Sequence, residues 1–131
     1  TETISRIVSF YPPHQHQQVR LLLANTLQSI ISLRLLPRKD RQGRVPAAEI
    51  LVNNAAIHDY LVDPNLTHMI EPAIREGNSQ YGSQSFDQSI HKLFIDELIS
   101  YEVALRSASN PADFELKLRG VEGASDQSWM T

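Results

Sequence analysis

The sequence has no cysteine, so it can form neither a disulfide framework nor a thiolate metal site. It also lacks any long apolar run, and its mean hydropathy is −0.29, which excludes a membrane-spanning helix. Glycine is scarce, and none of the 5 is followed by lysine. The loop G-x-x-x-x-G-K-[ST], whose backbone N–H groups cradle phosphates, is therefore missing. So are the serine-hydrolase elbow G-x-S-x-G and the zinc motif H-E-x-x-H. No excess of one charge exists either. A net charge of −3 gives no general pull towards nucleic acid or an anionic membrane.

What remains is 131 residues, 41% hydrophobic and 21% charged, enough for an ordinary globular core. No signal peptide is read at Thr1, which opens directly into an amphipathic stretch. Without an initiator methionine, the chain is expected to be a piece of something larger.

The stretch Gln28–Val52 reads as a β-hairpin. Ile31, Leu33 and Leu35 share one face of its first arm, with Ser32 and Arg34 on the other, a period of two. Pro46 has no N–H to give a ladder and belongs at an unpaired edge position. Gly43 suits the positive φ of a wide turn.

Two helices are expected ahead of the hairpin. Thr1 caps the first, with Ile4, Ile7 and Val8 inward and Tyr11 a turn further. Pro12-Pro13 ends it. The second carries Val19, Leu22, Leu23, Thr26 and Leu27 on one face, with Gln15, Gln17, Gln18 and Arg20 outward.

Short helices follow the hairpin. Asn53-Asn54 caps Ala55 to Leu61, whose inner face is Ile57, Tyr60 and Leu61. Another runs from about Leu66 to Glu76, kinked or truly begun at Pro72, with Gly77 just past its end and a polar loop to Gln84. Ser85 with Gln88 makes a capping box before the stripe Phe86, Ile90, Leu93, Phe94 and Leu98. Ser100 caps a helix to Ala108, and Asn110-Pro111 opens the last, which Gly120 ends. Residues 121–131 read as a loose tail.

Candidate chemistry is thin. His14 and His16, two apart, point to different helix faces and do not form a joint metal site. His58, His68 and His91 are single and scattered. The hairpin tip gathers Arg34, Arg38, Lys39, Arg41 and Arg44 against one acid, Asp40. Such a cluster could meet phosphate, nucleic acid or an acidic surface. A solvated turn that blunts a sheet edge is the plainer reading, and no aromatic residue interleaves the cluster as nucleic-acid stacking would need. The residues alone lead to a mixed α/β piece, mostly helical, with no catalytic centre, nucleotide site or metal site of its own.

The order of segments nevertheless resembles a known family. Thr3-Ile4-Ser5-Arg6-Ile7, Phe10-Tyr11-Pro12, Gln18-Val19-Arg20 and Leu23-Ala24-Asn25-Thr26-Leu27 are similar to the segment after the histidine box in type IV pilus retraction ATPases, the PilT or twitching-motility family. Ile30-Ile31-Ser32, Leu35-Leu36-Pro37, Gly43-Arg44-Val45 and Ala48-Glu49-Ile50-Leu51 look like its hairpin. Gln84 to Ser89 resembles its M-Q-T-M-D-Q-S stretch, and Leu98-Ile99-Ser100-Tyr101-Glu102 with Ala104-Leu105 its G-L-I-T-Y-E-E-A-L helix.

The resemblance implies the C-terminal portion of a RecA-like P-loop ATPase domain: two helices, a β-hairpin, then a bundle of short helices. Residues 1–53 would complete the RecA-like core, 54–120 would form a helical C-terminal subdomain, and 121–131 a flexible tail. The parent would be a homo-hexamer that hydrolyses ATP with Mg²⁺ to power pilus retraction. It would work in the bacterial cytoplasm, at the pilus base, against an inner-membrane platform protein and without nucleic acid. Its Walker A loop and catalytic residues would lie upstream of Thr1.

The family's A-I-R-N-L-I-R-E motif, which serves retraction, falls on Ala56, Ile57, His58, Asp59, Tyr60, Leu61, Val62 and Asp63. Both family arginines are replaced, by His58 and Val62. In the resemblance this segment transmits force, with His58, Asp59 and Asp63 facing a partner; as residues alone it reads as a short packing helix. The basic tip, Arg38, Lys39, Arg41 and Arg44, is a candidate subunit contact, with the two acids of an adjacent copy as one conceivable mate. A pilus-assembly or type II secretion ATPase of the same superfamily is the alternative; it usually carries a four-cysteine zinc module absent here. A non-enzymatic helical interaction module is the other.

Overall fold

A computed structural model describes residues 2–120. The cap expected at Thr1 and the tail expected over 121–131 lie outside the described residues. The described chain is mostly helical, with one antiparallel hairpin, as the sequence implies. It forms two compact units that interleave along the chain. The first takes the chain up to Ile30 and returns for Leu51–Ser83; the second takes Ile31–Ile50 and the chain from Gln84 on.

In the first unit, α1 (Glu2–Ser9) buries Ile4 and Val8. Pro13–Gln15 make a 3₁₀ turn into α2 (His16–Thr26). Tyr11 and Leu22, expected inside, are exposed, at 46% and 55%. The inner face of α2 is Val19, Leu23, Ala24 and Leu27, one position round from the expected stripe. After the hairpin come α3 (Ala55–Val62), a 3₁₀ stretch Pro64–Met69 and α4 (Ile70–Glu76). Ile57, Leu61, Ile70 and Ile74 from these close a core with Ile4, Val8, Ala24 and Leu51.

Pro72 stands in the first turn of α4, where its missing N–H costs nothing, so it marks the helix start and does not kink it. Gly77 does not take the left-handed conformation expected of a terminal glycine; its φ is −78. It is needed for space, since a Cβ there would lie 3.0 Å from the Ala73 carbonyl oxygen. A further helical turn, α5 (Asn78–Tyr81), occupies the expected polar loop, and Gly82 ends it at φ 73.

The hairpin pairs β1 (Ser29–Pro37) with β2 (Arg44–Val52). Gly43 turns it at φ 113. The Arg38 N–H donates to Gly43 O at one end and the Asn53 N–H to Gln28 O at the other, so the register runs through without a bulge. Ile31 thus faces Ile50, Leu33 faces Ala48, and Leu35 faces Pro46.

In the second unit, Leu36, Val45 and Ala47 from the opposite face of the hairpin join a core with Phe86, Ile90, Ile99, Ala104, Ala108 and Phe114. These come from α6 (Phe86–Ile95), α7 (Tyr101–Ser107), α8 (Pro111–Leu118) and the links before and after α7. The Ser85–Gln88 capping box forms as expected. Ser100 and Asn110 cap α7 and α8 through their side-chain oxygens. Asp87, in the first turn of α6, accepts the Ser109 N–H at 2.7 Å and the Asn110 N–H at 3.3 Å, which ties α6 to the start of α8.

Arg34 does not belong to the basic tip. It sits in mid-strand with its guanidinium 3.9 Å above the Phe86 ring and Nη1 donating to Ser107 O at 3.4 Å.

Candidate functional site

The motif residues fold as one short helix, and the sequence gives each end a reason. Asn54 accepts the Ile57 N–H and starts α3. Asn53 turns inward instead, giving its two amide hydrogens to Ala24 O and Leu27 O at the end of α2, at 3.0 and 2.8 Å. Its Oδ1 is buried with no partner among the described residues. The amide thereby satisfies α2's last carbonyls at the cost of its own acceptor. At the other end, Asp63 accepts the Asn65 N–H at 2.9 Å and opens the 3₁₀ stretch that follows.

The motif therefore divides into three kinds of position. Ile57 and Leu61 are fully buried, and Tyr60 and Val62 pack at the edge of that core. His58 is half-buried and engaged with α2: its Nε2–H donates to Asn25 Oδ1 at 2.9 Å. Its Nδ1 lies 3.3 Å from Asp59 Oδ1. Asp63 is held by its capping bond. Ala56 and Asp59 are the exposed members, and Asp59 is the charge that the helix presents to solvent. Of the three residues expected to face a partner, Asp59 is the exposed one, its carboxylate beside the His58 ring.

The polar side of α2 is also engaged, against expectation. Arg20 is half-buried, with Nη1 donating to Leu61 O and to Thr67 Oγ1, both at 3.2 Å. Gln17 donates to Val62 O at 3.3 Å. Carbonyls at a helix C-terminus have no partner within the helix, so these donors supply one. By the helical spacing of apolar residues alone, Arg20 is only a polar residue off the core face. The missing signal is that a short helix ending at Val62 leaves carbonyls for α2 to meet.

The basic tip also divides. The Arg38 guanidinium bonds Asp40 through two nitrogens, at 2.8 and 2.6 Å. That hydrogen bond holds the Asp40 carboxyl down to about 2, and the Arg38 charge beside it acts in the same direction. The Lys39 N–H donates to Leu98 O, and its ammonium lies 3.8 Å from Glu97. Arg41 and Arg44 are exposed. The tip offers two open cations, fewer than its composition promises.

The two edges of the hairpin differ. On β2, the Val52 N–H donates to Ser83 Oγ, the Ile50 N–H and C=O both pair with Gln84, and Ala48 pairs with Ser89 Oγ and Gln84 Nε2. Pro46 has no N–H to satisfy. The stretch Gln84 to Ser89 is thus a structural staple on that edge. On β1, the register sends the N–H and C=O groups of Ile31, Leu33 and Leu35 outward, and no further strand meets them among the described residues. Their side chains form the exposed face, at 63%, 63% and 59%.

No protein-family profile matches the chain. Individual relatives do. The type IV pilus ATPase PilU of Pseudomonas aeruginosa is 32% identical over 126 residues, 95% of this chain and 32% of that protein. A twitching motility protein of Neisseria gonorrhoeae is 35% identical over 109 residues, 83% of this chain and 29% of that protein. A crystal structure of the pilus retraction motor PilT with bound ADP superposes with a TM-score of 0.71 at 34% identity, over 87% of this chain and 31% of that one. The chain belongs to the PilT family.

It spans about a third of the length of the relatives it matches. In this chain His58 bonds Asn25 of α2 through Nε2, and Val62 lies at the edge of the core. No phosphate-cradling loop occurs in the sequence, and no group of three metal-ligating side chains occurs among the described residues.

Proposed function

We propose that this chain is the C-terminal part of a hexameric ATPase motor that retracts a type IV pilus, in which it supplies subunit contacts and force transmission. The observation that carries the reading is the outer edge of β1. Its nine residues run without a bulge, with the backbone groups of Ile31, Leu33 and Leu35 directed outward and their side chains exposed. A free-standing domain blunts such an edge with charge, proline or a covering element. Here β2 is covered, and among the described residues no further strand pairs with β1. The next strand and the cover come from the remaining part of the ATPase domain, which also brings the phosphate loop, ATP and Mg²⁺.

In this reading α3 faces an inner-membrane platform protein or an adjacent subunit through Asp59. Arg41 and Arg44 at the hairpin tip are the cations open to a subunit contact. The motor works at the cytoplasmic base of the pilus. No helix among the described residues is long and apolar enough to cross a membrane.

Deleting the parent gene tests the reading against its alternative. A retraction motor leaves cells that keep surface pili and lose twitching. An assembly or secretion motor leaves cells without pili or without the secreted product. A parent that hydrolyses no ATP leaves only the interaction-module reading.

A further inference from the structure

The motif helix is not held by apolar packing alone. Helices α2 and α3 run side by side in opposite directions, and polar bridges cross between them along their whole length: Gln17 to Val62, Arg20 to Leu61, and Asn25 to His58. Asn53, in the approach to α3, adds bonds back to the last carbonyls of α2. Beneath these lie Leu23, Ala24 and Leu27 against Ile57, Tyr60 and Leu61. The pair is one mechanical piece.

Arg20 differs from the other bridging residues. It carries a full charge, it is half-buried, and it binds two successive elements at once, the C-terminal end of α3 through Leu61 O and the 3₁₀ stretch through Thr67 Oγ1. A cation at a helix C-terminus is favoured by the helix dipole, and bonds from a charged donor are the stronger kind. Both bonds come from one nitrogen, Nη1, which carries two hydrogens and so serves an acceptor on each element.

We propose that Arg20 is a positioning residue for the motif helix: it fixes the C-terminal end of α3 to α2, so that a displacement of α2 arrives undamped at Asp59. The proposal rests on the reading of α3 as a force-transmitting helix. It adds the element that drives α3 and the side chain that couples the two. Gln17 adds a neutral and more exposed bond to Val62 O at the same end, of the weaker kind.

The test uses the full-length parent with three variants. Arg20→Met keeps the stem and removes the donors; Arg20→Lys keeps the charge and one donor group. Ile74→Val, in the same core but away from the bridges, is the control for lost stability. Amide hydrogen exchange, ATP turnover and twitching are measured for each. Arg20→Met should speed exchange in the last turn of α3 roughly tenfold while α2 stays protected. ATP turnover should change by less than about twofold, with twitching reduced several-fold. Arg20→Lys should recover part of both effects, and Ile74→Val should keep twitching. The proposal is overturned if Arg20→Met leaves α3 exchange unchanged. It is also overturned if the control, at equal melting temperature, loses as much motility. If the wild-type parent neither hydrolyses ATP nor supports twitching, the motor reading fails, and the exchange arm alone still decides whether Arg20 positions α3.

Discussion

The Leu98 N–H donates to Leu93 O at 2.9 Å, and Glu97 between them sits at φ 60. With the Glu97 N–H on Phe94 O, this closes α6 by a left-handed turn that glycine usually occupies. A side chain in that conformation costs about 1–2 kcal/mol. The Lys39 contact that Glu97 makes is exposed and adds little. Glu97→Gly should therefore raise the unfolding free energy by about 1 kcal/mol, read as a higher urea midpoint at unchanged slope. A lower midpoint would mean that the Glu97 side chain holds more than its geometry indicates.

The open edge of β1 has a direct consequence in solution. Away from the rest of its parent, the chain should self-associate as its concentration rises, through Ile31, Leu33 and Leu35. Leu33→Lys puts a charge at the centre of that row and should leave the chain monomeric with its melting temperature little changed. Sedimentation velocity measures this. A wild-type chain that stays monomeric at high concentration would show the edge to be protected in some other way.

The two motif acids should separate. Asp59 is exposed, so Asp59→Ala should change stability by less than about 0.5 kcal/mol. Asp63 caps the following turn, so Asp63→Ala should cost about 1 kcal/mol. In the parent, Asp59→Ala should lower twitching more than basal ATP turnover. Equal melting temperatures for the two variants would place both acids on a solvated face.

The sequence made the local devices legible. The capping box at Ser85, the caps at Asn54, Ser100 and Asn110, the turn at Gly43 and the edge position of Pro46 each depend on near neighbours and all appear. It was less informative wherever a partner lies far along the chain. Arg20 looks like a solvent residue until Leu61 and Thr67 stand beside it. Arg34 joins the basic run in sequence, yet Phe86 takes it out of the tip. The row Ile31, Leu33 and Leu35 has the period of a strand, but period says only that these residues share a face. Which face the helices cover was settled by Leu36 and Val45. For α3, the cap at Asn54 and the spacing of Ile57, Tyr60 and Leu61 located the helix, whereas the bond from His58 to Asn25 needed the tertiary arrangement.

Acid should weaken the second unit through His91. Burial lowers its pKa below 6.5, and the Lys117 charge adds to this. A depressed histidine pKa means that the unfolded chain takes up the proton first. The stabilising contribution is complete above pH 6.5 and is lost as pH falls through the lower, folded value. Urea midpoints should thus drop from pH 7 towards pH 5, and His91→Gln should flatten the part of that drop due to this residue. A His91 imidazole signal titrating above 6.5 by NMR would reverse the sign.

The central claim is that this chain positions and transmits but does not hold nucleotide, while its parent hydrolyses ATP. Isothermal titration of the 131-residue chain with ATP and Mg²⁺, beside the same titration of the full-length parent, tests it most directly. The account predicts no heat of binding for the chain at micromolar to near-millimolar nucleotide and saturable binding for the parent. Micromolar binding of ATP by the isolated chain would contradict it.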